Sequence, residues 1–155
     1  MKFQGFKGLT KEEYTKELVT KYITVEHDVD DDSCGIKKGR QFAIIDRDSQ
    51  RLIGDIYLKQ DQEGPNQYCY WIGYTIHPDH SRRGYAFEVV DGVINYLKQQ
   101  QQQNNHDDSN KTTNKLIIIK AGIDQNNSGS INLVKKLGFT YLNHEDGEDI
   151  YQLTL

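Results

Sequence analysis

Ser81, Arg82, Arg83, Gly84, Tyr85 and Ala86 form a short loop between two unlike stretches. Upstream, Tyr68 to His77 is aromatic and β-branched, the composition of a pleated and largely buried strand. Pro78 cannot donate to a ladder, so that strand is expected to end near His77. Downstream, Ala86, Val89, Val90, Val93, Ile94 and Leu97 recur at helical steps and make one apolar stripe. A strand that feeds a helix N-terminus through two arginines and a glycine suits an anion. The first helical N–H groups have no partner within the helix, and the helix dipole favours negative charge there. The chemistry to expect is phosphate binding, with Gly84 permitting close backbone approach. Arg82 and Arg83 would add charge to that site, or else are an ordinary solvated pair. Glu88 would repel phosphate in the same first turn and is read as a structural cap.

A second stretch points the same way. Ser81 to Ala86 resembles the pyrophosphate loop of the GNAT acetyltransferases, whose pattern is Gln/Arg-x-x-Gly-x-Gly/Ala. Trp71 to Pro78 and Gly84 to Glu88 are similar to the RimJ/RimL-like branch, with its Gly-Tyr strand and Gly-Tyr-Ala-x-Glu helix start. Asn127, Ser130, Lys136, Leu137, Gly138 and Phe139 then resemble the second family signature, Asn-x-x-Ser followed by Lys-Leu-Gly-Phe. The resemblance runs from roughly Phe42 to the C-terminus. It departs at Ser81, where the family usually has Gln or Arg, so Arg82 or Arg83 would supply that contact.

The resemblance implies an α/β GNAT fold, a mixed central sheet splayed between its fourth and fifth strands and flanked by helices. It implies acetyl-CoA as co-substrate and a primary amine as acceptor, whether a protein N-terminus, a polyamine or an aminoglycoside-like molecule. The strands near Tyr74–His77 and Lys120–Ile123 would part, and the pantetheine arm would pair with the exposed strand edge. A bulge near Gly73 to Ile76 would free the backbone groups for it. The cofactor-binding set implied is Ile76, His77, Arg82, Arg83, Gly84, Tyr85, Ala86 and Asn127. The oxyanion would need a backbone N–H, most economically near Ile76 or His77. Ser130 would donate to the leaving thiolate, bind a water that does, or serve only as a helix cap. Asn127 would bond the arm, cap the short helix, or both.

The attacking amine must lose a proton, so a base is required. His77 and Asp149 are the catalytic candidates, with Glu145 and Asp55 beside them. Histidine titrates near neutrality, although a histidine before proline at a strand end also has structural uses. Asp149 resembles an acidic position that the branch keeps in its last strand. Many relatives place a tyrosine acid where this chain has Val134, which cannot protonate anything. That absence and the open choice of base support an alternative, a non-catalytic acyl-CoA-binding or regulatory module.

Composition bounds the rest. The chain has 155 residues and a formal net charge of −4, which suits one domain and does not suggest a nucleic-acid partner. Its two cysteines, Cys34 and Cys69, sit in unrelated contexts and suggest a reduced, cytoplasmic protein. No His/Cys cluster has metal-ligand spacing, and no apolar span suits a membrane. A monomer or homodimer is expected.

The supporting elements follow from the pattern. Thr10 to Glu13 is a capping box before a helix at about 11–25. The family usually has a strand and a helix before such a segment, so a shortened N-terminus is expected. Asp28, Asp30, Asp31 and Asp32 form a solvated loop or an acidic rim for cationic amines. Gln41–Asp46 and Leu52–Lys59 read as a hairpin, and Gln60 to Asn66 as a turn. Tyr68, Tyr70 and Tyr74 alternate onto one face, as core or as a pocket wall. Gln99 to Asn114 is a Gln/Asn-rich tract, expected to be a disordered insertion or a frayed helix end. Lys115–Ile123 reads as a strand buried on both faces. A short helix follows from Ser130 to Leu137, and Asp146-Gly147 marks a terminal hairpin.

Overall fold

A computed structural model describes residues 39–64, 67–104 and 116–155. The expected helix at about 11–25, the acidic residues Asp28 to Asp32, Cys34 and the tract beyond residue 104 lie outside the described residues, as does the question of a shortened N-terminus.

Six strands form one sheet in the order β1-β2-β3-β4-β6-β5. They are β1 (Arg40–Ile45), β2 (Leu52–Gly64), β3 (Gln67–Ile76), β4 (Leu116–Ile123), β5 (Thr140–Glu145) and β6 (Glu148–Thr154). Helix α1 (Tyr85–Asn104) connects β3 to β4, and α2 (Ser128–Lys136) connects β4 to β5. β3 and β4 run parallel, and the other pairings are antiparallel. The sheet is therefore mixed, as expected.

The core lies where the apolar stripe of α1 meets one sheet face. Val90, Ile94 and Leu97 are buried with Ile56, Leu58, Tyr70, Ile72, Ile76, Ile119, Ala121 and Val134 in one cluster. Each such aliphatic side chain is worth about 1.5–3 kcal/mol over an exposed one, which holds α1 at the end of β3. Tyr68, Tyr70 and Tyr74 share this face, Tyr70 buried and the other two partly so. Cys69 is buried on the opposite face and forms no disulfide among the described residues.

Two elements outrun their expected bounds. β2 continues through Gln60 to Gly64, which read as a turn, because β3 offers it backbone partners as far as Gln67. Tertiary pairing here outweighs a polar composition. Helix α1 likewise continues through Gln99 to Asn104 rather than stopping near Leu97. Glutamine is a good helix former and nothing in this run breaks a helix. Gln101 also donates its side-chain amide to the Leu155 carbonyl at 3.5 Å.

The C-terminal third matches its reading closely. Asn127 caps α2. Phe139 N–H reaches back to Val134 O at 3.0 Å and Gly138 N–H to Lys135 O at 3.0 Å, closing the helix end. Asp146 and Gly147 have φ of 51° and 85°, the positive values that a two-residue hairpin turn requires.

Candidate functional site

The site begins where two strands part. β3 pairs with β4 from Gln67↔Leu116 to Trp71↔Lys120, and there the pairing stops. The remainder of β3 stays with β2, and the remainder of β4 stays with β6. Those strands are the fourth and fifth in the count that the resemblance implies. No bulge causes the parting. The β2–β3 register is unbroken from Gly54↔Ile76 to Gln62↔Tyr68, so the bulge expected near Gly73 to Ile76 is absent. The edge opens because β4 leaves, not because β3 is kinked.

Backbone direction then follows from the ladder. His77 N–H donates to Ile53 O at 2.7 Å. Antiparallel ladders alternate, so Thr75 also turns its N–H and C=O toward β2, while Tyr74 and Ile76 turn theirs the other way. That side no longer has β4 beside it. Tyr74 and Ile76 thus present an open strand edge to a cleft of about 830 Å³. His77 does not share in it, since its N–H is spent on β2. This removes His77 as a backbone donor and leaves Ile76.

The loop after β3 builds one end of the cleft. His77 Nδ1 accepts from Asp79 N–H at 3.3 Å and so begins the turn Pro78–His80. The Ser81 hydroxyl donates to Pro78 O at 2.8 Å. Arg82 and Gly84 then take φ of 62° and 87°. Left-handed residues in this alternation turn successive N–H groups into a common concavity. Gly84 O accepts from Glu88 N–H at 3.0 Å, which makes Gly84 the residue that starts α1. Glycine has no side chain to cap with, so the N–H groups of Tyr85, Ala86 and Phe87 remain open. Arg82, Gly84, Tyr85 and Ala86 line the cleft, and Arg83 does not. Tyr85 is anchored by its hydroxyl, which donates to Asp46 Oδ1 at 3.2 Å. Glu88 is exposed outside the cleft.

The second signature builds the other wall. Asn127, Ser128, Gly129, Ser130 and Leu133 line the cleft. Asn127 Oδ1 accepts from Ser130 N–H at 3.2 Å, so the capping role is realised. Its Nδ2 has no hydrogen-bond partner among the described residues. Tyr74 faces this wall with its hydroxyl oxygen buried and unpartnered among the described residues. Burial pushes the Tyr74 phenol up, and Ser130 beside it draws it part of the way back.

His77 and Asp149 do not line the cleft. Asp149 lies opposite Ile123 on β6, and its Oδ1 accepts from His144 Nδ1 at 2.9 Å and from Gln125 Nε2 at 3.4 Å. Glu145 is exposed at the β5 tip. Asp55 stands opposite Thr75 on the other sheet face; burial raises its carboxyl, and Gln41 and Thr75 oppose that rise. Val134 is fully buried in the core. His80 lines the cleft with a buried Nδ1 that has no hydrogen-bond partner among the described residues, and no sequence pattern pointed to it. The parity of β3 could have singled out Tyr74, because it sets that side chain on the face that α2 covers.

An open strand edge beside an uncapped helix start is an arrangement for an extended ligand ending in phosphate. The chain belongs to the GNAT acetyltransferases: the family model described as Acetyltransferase (GNAT) domain matches residues 1–140. This family uses acetyl-CoA. No curated protein sequence matches the chain. Among solved structures it is similar to PaiA N-acetyltransferase from Thermoplasma acidophilum in complex with coenzyme A, with TM-score 0.59 and 15% identity over 93% of this chain and 74% of that one. It is similar to a chimera of the spermidine N-acetyltransferase SpeG from Vibrio cholerae and hSSAT, with TM-score 0.58 and 18% identity over 90% and 78%. An acetyltransferase of the GNAT family from Bacillus anthracis gives TM-score 0.61 and 18% identity over 95% and 75%. At these identities the likeness is one of fold.

Among the described residues no helix is long and apolar enough to cross a membrane, and no cluster of side chains could hold a metal ion.

Proposed function

We propose that this chain is a cytoplasmic N-acetyltransferase of the RimJ/RimL-like branch. It moves the acetyl group of acetyl-CoA directly to a primary amine on a protein N-terminus, a polyamine or an aminoglycoside-like acceptor. The observation that carries this reading is the open edge at Tyr74 and Ile76 facing Ser130 across the cleft. Two of the similar folds belong to proteins named as N-acetyltransferases, which supports an amine acceptor.

The described residues fit acetyl-CoA. The N–H and C=O groups of Tyr74 and Ile76 would pair with the amides of the pantetheine arm, as an added strand would. Arg82 and the open N–H groups at the start of α1 would hold the pyrophosphate. Asn127 has an amide nitrogen to spare for the arm while its oxygen caps α2. When bound, acetyl-CoA supplies a thioester whose carbon accepts the amine and whose sulfur leaves. Ser130 Oγ, in the first turn of α2, would donate to that sulfur. The Ile76 N–H is available to the carbonyl oxygen, a fixed donor that needs no reorganisation during reaction. Asp149 remains a proposed proton acceptor, acting through its hydrogen bond with His144.

The test is acetyl-CoA with N-terminal peptides, spermidine and an aminoglycoside, read by release of free thiol. Thiol release with at least one amine is expected. Thermal stabilisation by acetyl-CoA with no thiol release from the whole panel would instead mark an acyl-CoA-binding module without catalysis.

A further inference from the structure

Tyr74 carries a buried hydroxyl that nothing among the described residues satisfies. A buried hydroxyl without a partner is costly, and native proteins keep few of them. This one stands at the cleft, three residues beyond Trp71, the last β3 residue paired with β4. Its ring packs against the core with the side chains of the face that α1 and α2 cover. That packing leaves the ring little freedom, so the hydroxyl has a defined position. Ser130, which also lines the cleft, is the side chain within interaction reach of that hydroxyl.

We propose that Tyr74 is a positioning residue for Ser130, its hydroxyl donating to Ser130 Oγ so that the serine proton turns toward the departing sulfur. This rests on the acetyl-transfer reading above. In the reaction the C–N bond forms and the C–S bond breaks, with the electron pair leaving on sulfur. The nitrogen sheds one proton and the sulfur gains one through solvent. Ser130 stays neutral and meets the sulfur's charge with its hydroxyl hydrogen, while Tyr74 holds the Ser130 oxygen. A phenol pushed up by burial stays protonated across the working range, as a donor must. Among the described residues no hydrogen bond yet joins the two hydroxyls, and catalytic hydrogen bonds often form fully only in the complex.

The experiment is a double-mutant cycle with Tyr74→Phe, Ser130→Ala and both, reading kcat, the KM for acetyl-CoA and Tm. Tyr74→Phe should lower kcat roughly tenfold with KM unchanged, since the lost contact matters only in the transition state. Its Tm should hold or rise, because an unpaired buried hydroxyl has been removed. In the Ser130→Ala background the same change should do nothing further. A wild-type kcat in Tyr74→Phe, or two losses that multiply, overturns the proposal. A fall in Tm that accounts for the lost rate overturns it too. A wild-type protein that binds acetyl-CoA yet acetylates no amine would fail differently, overturning the acetyl-transfer reading and with it this one.

Discussion

Two helices begin at this cleft, and they begin in opposite ways. Helix α1 starts at Gly84 with no capping side chain, with positive φ at Arg82 and at Gly84 itself. Helix α2 starts at Asn127, whose oxygen satisfies Ser130 N–H at 3.2 Å. A capping asparagine is worth only about a few tenths of a kcal/mol over glycine at the same position, so α1 forgoes little stability by starting without a side-chain cap. The difference shows which N-terminus is left for a ligand. At α1 the N–H groups and the dipole stay available to an anion. At α2 they are satisfied internally, and the same cap holds Ser130 in place.

The sharpest break in that contrast is Gly84→Glu. A side chain at φ 87° is strained, and this one would bring a carboxylate to the anion site. Thermal stabilisation by acetyl-CoA should disappear, and an unchanged shift would remove the phosphate role from α1. Next comes Ser130→Ala, which should keep acetyl-CoA affinity yet lose roughly tenfold or more in rate, about 1.4 kcal/mol of barrier. Asn127→Ala should lose about 1 kcal/mol of stability and weaken acetyl-CoA binding as well. If both variants melt early but turn over normally per folded molecule, α2 is capped and nothing more.

The arginines separate charge from position. Arg82 lines the cleft and Arg83 does not. Arg82→Ala should therefore weaken acetyl-CoA severalfold, more at low salt than at high salt, and Arg83→Ala should barely change it. Isothermal titration at two salt concentrations decides this; equal losses would mean that both reach the phosphates.

The smallest effect concerns Asp46, which anchors Tyr85 at the start of α1. Ser49 holds its carboxyl below the usual value of 3.8, first through its hydroxyl and then through its N–H, with a lesser part from Tyr85. A depressed folded value means stability that is present above pH 3.8 and lost as pH falls through the lowered value. The Tm advantage of the wild type over Asp46→Asn should accordingly shrink in acid below that point. A difference that persists unchanged would mean that the carboxylate contributes nothing through its charge.

The pattern of residues determined a good deal by itself. Strand β3, the stripe of α1, the cap at Asn127 and the Asp146-Gly147 turn were all legible, because each depends on local periodicity or on a single backbone requirement. So was the loop that leads into α1 through Arg82 and Gly84, since glycine and arginine before a helix are local signals. The polar run Gln60 to Gly64 and the glutamines after Leu97 misled for the same reason in reverse: their composition carried no pattern, and neighbours supplied the structure. Three matters needed the folded chain. β3 opens by losing β4 rather than by bulging, which depends on where the partner strand turns away. His77 has its N–H taken by Ile53 and its Nδ1 engaged by the Asp79 N–H, which no local pattern shows. Tyr74 and Ser130 line the same cleft although 56 positions separate their numbers (130 minus 74), because the crossover through α1 and β4 brings α2 over the same sheet face. Contacts of that range are set by packing and topology, and a linear pattern carries no record of them.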